Sequence, residues 1–120
     1  MKKIPVYVIG GIFLITAILL VGISWVGMSS GSEQDKGKEL YDKNCEMCHG
    51  IKGDGNGPAA ASFNPRPRDF TDPKFWQNNV DQEITNAIEN GVGVMPASDL
   101  NGDQIKAIID YMSSSFKPAH

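Results

Sequence analysis

Cysteine and histidine are each present only twice in this chain, and that scarcity removes several kinds of chemistry at once. Both cysteines, Cys45 and Cys48, sit within one short stretch, so no disulfide framework can staple distant parts together. A zinc cage needs about four nitrogen or sulfur ligands, and the histidine not adjacent to the cysteines is His120, at the far end. A thioredoxin-like redox site would need alternating strands and helices, and no such alternation is present. Basic residues are not in excess. From Glu33 onward, nine basic and fourteen acidic side chains leave a net charge of −5, which speaks against nucleic acid as a partner. Long aliphatic runs are scarce beyond residue 32, and no internal repeat is found. Charge itself is missing from Ile4 to Ser32.

What is there begins with Cys45-Glu46-Met47-Cys48-His49. This is C-x-x-C-H, the covalent attachment pattern of a c-type haem. Two thiols spaced by two residues on one turn can each add to a porphyrin vinyl group, and the adjacent histidine falls under the iron. Attachment consumes both thiols. The motif occurs once, so one haem c is expected, held through Cys45 and Cys48.

The charge-free N-terminal segment has an apolar centre of 23 residues, Val6 to Met28, enough for a helix to cross roughly 30 Å of hydrocarbon. Lys2 and Lys3 precede it and Glu33 and Asp35 follow it, which leaves the N-terminus in the cytoplasm and exports the remainder. Trp25 suits the outer interface. A cleaved signal peptide is the alternative, but its apolar region is usually shorter, about 7–15 residues. Residues 1–28 are therefore expected to be a transmembrane anchor, 29–32 a short Gly/Ser linker and 33–120 one small domain.

Within that domain the patterning is helical. A first helix is expected after Ser32, with Asp35 completing an S-x-x-D cap, running through Gly37, Leu40 and Tyr41 to deliver the cysteine pair. Gly50 to Pro58 reads as a glycine-rich loop and Pro65 to Pro73 as an extended stretch, with a short helical turn within Asp72 to Asn78. Asp81 is the expected cap of a second helix ending at Asn90, with Gly91 as its stop. The last helix starts at an N-x-x-Q capping box, Asn101 and Gln104. It carries Ile105, Ile108, Ile109, Met112 and Phe116 as one apolar stripe.

A second axial ligand is sought among the five methionines. Met1 and Met28 belong to the N-terminal segment, Met47 lies inside the attachment motif, and Met112 falls on the apolar stripe. Met95 remains, in the run Gly91-Val92-Gly93-Val94-Met95-Pro96, where glycines let a loop approach the porphyrin and Pro96 stiffens it. The rival ligand is His120, and the alternative role for Met95 is packing without ligation.

With these residues in place, the chain resembles a class I cytochrome c. Cys45, Cys48 and His49 match the attachment motif, residues 91–96 resemble the distal-methionine loop, and residues 101–116 resemble the C-terminal helix. The resemblance implies an all-α fold around one covalent haem, with first and last helices crossing at Gly37, Tyr41 and Tyr111. It implies that His49 and Met95 ligate the iron, and that Pro58 supplies the carbonyl accepting the His49 imidazole N–H. The run Gly53-Asp54-Gly55-Asn56-Gly57-Pro58, followed by Pro65-Arg66-Pro67-Arg68-Asp69-Phe70, resembles a bacterial subgroup of these cytochromes. Family members acquire their haem outside the cytoplasmic membrane, in agreement with export.

Arg66 and Arg68 are candidates to neutralise the haem propionates, the alternative being solvated charges. Trp76 could do so through its indole N–H, or pack in the core. Asp54 and Asn56 fall short of a calcium loop and read as a turn. No serine–histidine–acid set can be assembled with His49 committed to iron. The expected function is a non-enzymatic, membrane-tethered, single-haem electron carrier on the periplasmic face, exchanging electrons with redox partner proteins. The alternatives are a haem subunit of a larger reductase, or a haem sensor or peroxidase with an open distal site.

Overall fold

The computed structural model describes residues 30–119. The expected spanning segment and the rival ligand His120 lie outside the described residues. Helix α1 runs Ser30–Asn44, the short helix α2 Glu46–His49, helix α3 Val80–Asn90 and helix α4 Gly102–Ser115, with a single 3-10 turn at Ala60–Ser62. Among the described residues there is no strand, only an isolated bridge between Val92 and Met95. None of the described helices is long and apolar enough to cross a membrane.

Helix α1 contains no β-branched residue, and Glu33 in its first turn and Lys43 in its last complement the helix dipole. It already includes Ser32, so the expected S-x-x-D cap does not mark its start. Gly37 and Tyr41, one turn apart on the same face, are its buried residues. A Cβ on Gly37 would collide with the Ala107 carbonyl oxygen and come within 2.9 Å of the Tyr111 Cβ. Glycine is what lets the backbones of α1 and α4 touch. Beside that crossing, Tyr41 packs against Tyr111 at 5.5 Å and Phe116 at 5.1 Å between ring centroids, geometry favourable for tilted aromatic pairs.

The start of α4 follows its local sequence. The Asn101 side chain accepts from Gln104 N at 3.0 Å, and the Gln104 amide oxygen accepts from Asn101 N at 3.0 Å, completing the expected capping box. Its apolar stripe is buried: Ile105, Ile108, Ile109 and Met112, with Phe116 just beyond, form the core with Tyr41, Phe70, Ile84 and Ile88. Helix α3 corrects one expectation. It begins at Val80, and its N-cap is Asn79 with no side-chain cap bond; Asp81 lies in the first turn. Asn78 and Asn79 both take left-handed backbone, at φ 49 and 44, which asparagine tolerates better than most residues. That bend starts the helix one residue before the aspartate. Within Asp72 to Asn78 the chain turns at residues 73–76, with Phe75 N donating to the Asp72 carbonyl at 3.0 Å and Asp72 Oδ1 accepting from Lys74 N.

The crossing sets a stability prediction. Gly37→Ala is expected to destabilise the haem-loaded protein by about 1–3 kcal/mol, because the methyl can be accommodated only by separating α1 from α4. Thermal unfolding checks this, and for a domain of this size the midpoint should fall by at least ~4 °C. An unchanged midpoint would mean that the helices are not in backbone contact.

Candidate haem site

The end of α1 and the start of α2 place the attachment motif. Cys45 N donates to the Tyr41 carbonyl at 2.8 Å, continuing the α1 pattern, and His49 N donates to the Cys45 carbonyl at 2.9 Å. The buried Tyr41 hydroxyl donates to the Gly50 carbonyl at 2.9 Å, tying the far side of the motif back to α1. Burial of that phenol, foremost among the causes, pushes its pKa well above the usual range, so it stays a donor. The two cysteines are unpaired. Burial pushes the Cys45 thiol up to about 12, and repulsion from Cys48 adds to it, so in the packed chain it is a poor nucleophile as a free thiol.

His49 is held on two sides. Its Nδ1 lies 3.1 Å from the Arg68 carbonyl oxygen. A carbonyl can only accept, so Nδ1 carries the proton and Nε2 keeps a free lone pair. Burial lowers the imidazole pKa, opposed by the bond to Arg68, and the neutral ligand form is favoured. Its ring stacks on Phe70 with centroids 4.5 Å apart and planes 18° from parallel.

This geometry corrects the expected role of Pro58. That residue is exposed, and the acceptor of the imidazole N–H is the backbone of Arg68 instead. The reason is how the glycine-rich loop folds. Gly53 O accepts from Phe70 N at 2.7 Å, so the extended Pro65–Phe70 stretch lies along the loop and presents the Arg68 carbonyl to His49. Arg66 Nη1 donates to Asn56 Oδ1 at 3.0 Å, a further link between the two. The Trp76 indole N–H donates to the Phe70 carbonyl at 2.7 Å and is thus not free for a propionate.

Met95 comes from the other side. Helix α3 ends at Gly91, whose φ of 71 suits glycine, and a Cβ there would lie 2.7 Å from the Met95 carbonyl oxygen. The turn from Val92 to Met95 is closed by two backbone bonds, Val92 N to Met95 O at 3.0 Å and Met95 N to Val92 O at 2.9 Å. Ser98 N donates to the Ile88 carbonyl at 2.8 Å and anchors the exit of the loop. Met95 is half-buried and packs on the core.

Cys45, Cys48, His49 and Met95 all line one cleft of about 1700 Å³, larger than an ordinary small-ligand pocket. Its walls include the core side chains Ile84, Ile88, Ile108 and Met112. Arg66 and Arg68 also line it, both exposed; the Arg68 guanidinium lies 3.7 Å from Glu83. Met47, by contrast, is 62% exposed, and Met112 is buried in the core. Two thiols, an imidazole with a free lone pair, a thioether and apolar walls match the chemistry of a haem. Among the described residues no group of three or more His, Cys, Asp or Glu could hold a bare metal ion. Asp54 Oδ1 accepts from Asn56 N at 3.1 Å, a local turn rather than a calcium loop.

Sequence reasoning missed Phe70 and the Arg68 backbone. The Pro58 assignment separates from the observed one by experiment. In proton NMR of the reduced protein the hydrogen-bonded His49 N–H is expected to show nuclear Overhauser contacts to the backbone protons of residues 68 and 69, which flank the observed acceptor. Contacts to residues 58 and 59 instead would return the acceptor role to the Pro58 carbonyl.

Two comparisons bear on this geometry. Residues 32–112 match the model of a protein family described as cytochrome c oxidase, cbb3-type, subunit III. The cytochrome c6 of Gloeothece citriformis (strain PCC 7424) is 29% identical over 101 residues, covering 82% of this chain and 86% of that protein. The matched family spans both cysteines, His49 and Met95, the residues that converge on the cleft. The chain belongs to this family: it is a class I c-type cytochrome with one haem c bound covalently through Cys45 and Cys48.

Proposed function

We propose that this cytochrome is a membrane-tethered single-electron carrier at the outer, periplasmic face of the cytoplasmic membrane, with His49 and Met95 as axial ligands of the iron. The observation carrying the reading is the convergence of His49 and Met95, from well-separated parts of the domain sequence, on one cleft with the attachment cysteines. When bound, the haem supplies a one-electron couple between ferric and ferrous iron, and a thioether ligand raises its reduction potential. The protein's part is to hold the ligands still. His49 is fixed through Nδ1 by the Arg68 carbonyl, and Met95 by the closed turn behind Gly91. Arg66 and Arg68 stand exposed on the same cleft, where guanidinium groups suit the propionate carboxylates.

The charge-free run from Ile4 to Ser32, with Lys2 and Lys3 before it and Glu33 after it, supports the tether and its orientation. A tether keeps the site near membrane-bound redox partners and raises their effective concentration. A second reading has a specific observation in its favour. The matched family is described by a subunit of an oxidase, so the chain could serve as the haem c subunit of a larger complex. Isolation from membranes in mild detergent distinguishes the two: a stoichiometric partner supports the subunit, a lone chain the carrier.

The axial pair is tested by the visible spectrum of the full-length holoprotein. The ferric form is expected to show a thioether-to-iron charge-transfer band, and the ferrous form to resist carbon monoxide. Met95→Ala should abolish the band, admit carbon monoxide and lower the potential; a band that survives the substitution assigns the ligand elsewhere. The tether is tested by fractionation. The full chain should stay in the membrane pellet through a high-salt wash, whereas an exported chain starting at Glu33 should be soluble. Release of the full chain by salt would overturn the anchor.

A further inference from the structure

An imidazole bound to iron through Nε2 keeps one rotation, about the bond to the metal, and that rotation decides which porphyrin axis its plane lies along. The single bond from His49 Nδ1 to the Arg68 carbonyl restrains it only partly, because carbonyl oxygens accept over a broad range of directions. The second restraint is the Phe70 ring, lying nearly parallel to the imidazole at 4.5 Å. For His49 to turn, Phe70 must move out of the way.

Phe70 has little freedom to do so. Its backbone N–H donates to the Gly53 carbonyl, and its own carbonyl accepts the Trp76 indole N–H, each at 2.7 Å. The ring is 7% exposed and packs against Phe75 at 5.0 Å, tilted by 46°, with Phe116 behind it at 6.4 Å. Phe75 in turn meets Trp76 edge-on at 5.2 Å. The residue is thus held at both backbone groups and on more than one side of its ring.

We propose that Phe70, locked in place by Gly53 and Trp76, is a positioning residue that fixes the plane of the His49 imidazole at the iron. This rests on the reading of His49 as an iron ligand. It assigns Trp76 a role as well: its indole N–H holds the backbone of the positioning residue rather than a propionate. The imidazole plane governs how the unpaired electron of the ferric form spreads over the porphyrin. Phe70 therefore acts on electronic structure without touching the metal.

The test uses full-length ferric holoprotein and two substitutions. Phe70→Leu keeps an apolar side chain but removes the flat face. Trp76→Phe keeps an aromatic ring but removes the indole N–H. Proton NMR of the ferric state reads the spread of the porphyrin methyl resonances, which follows the imidazole plane together with the orientation of the thioether lone pair. The expected result is an altered spread in Phe70→Leu and a smaller change of the same sense in Trp76→Phe, with the thioether band retained in both. Wild-type spread in both variants would overturn the proposal, since a residue of merely structural value would lower the unfolding midpoint and leave the spread alone. If Phe70→Leu does not load haem, Trp76→Phe decides by itself. Failure of the ligation reading would show differently, as a missing thioether band in the unsubstituted protein.

Discussion

The His49 imidazole has one N–H to give and one lone pair to keep, and the surrounding chain is arranged around that division. Donation of Nδ1–H to the Arg68 carbonyl leaves Nε2 as the free nitrogen, and burial favours the neutral ring over a cation. Neither would hold if the strap of residues 65–70 lay elsewhere. The strap is kept in place by the Gly53–Phe70 backbone bond and the Asn56–Arg66 side-chain bond, both to a loop that begins where the attachment motif ends. Proximal geometry is therefore a property of three consecutive pieces: motif, loop and strap. A change in the loop is felt at the ligand.

The helix crossing supplies the rigidity behind those pieces. Tyr41 is the hinge between them. Its ring packs beside the α1–α4 contact that Gly37 permits, while its hydroxyl holds the Gly50 carbonyl at the exit of the motif. Hydrophobic packing on one side of the tyrosine is converted into a fixed backbone position on the other. A hydrogen bond of this kind contributes about 1 kcal/mol net, modest in itself. Its value lies in fixing direction, because the cysteines and the histidine are only a few residues from the carbonyl it holds.

Elements whose signals are local were legible in the sequence. The capping box of α4 needs only Asn101 and Gln104, and its buried stripe follows from helical spacing alone. The placement of Met95 was legible because Gly91 ends α3 and opens its loop within a few residues. The crossing at Gly37 was readable through family resemblance, since a glycine inside a helix carries no sign of what it touches. The acceptor of the His49 N–H was not legible. A backbone carbonyl has no side-chain signature, and the one used is 19 residues away along an irregular segment. The start of α3 was misplaced for a related reason: two left-handed asparagines bend the chain before Asp81, whereas the capping rule looks only at side-chain type. Phe70 was overlooked because a lone aromatic after a proline-rich stretch looks like any core residue.

The walls of the cleft explain why ligand positions and fold cannot be separated in this chain. Ile84, Ile88, Ile108 and Met112 belong to the buried core and also face the cleft, so they are shared between the two. A domain of under a hundred residues has little apolar surface of its own to bury. A haem held in the cleft would add apolar surface against these walls, which lie between α3, leading to Met95, and the strap that holds His49. The side chains that stabilise the domain are thus the same ones that line the cleft between the segments carrying His49 and Met95. With His49 and Met95 as iron ligands, as proposed, this arrangement suits a carrier, because ligands that stay in place in both oxidation states leave little to rearrange when an electron arrives. Stability and redox function consequently draw on one set of contacts, and neither can be altered at these positions without the other.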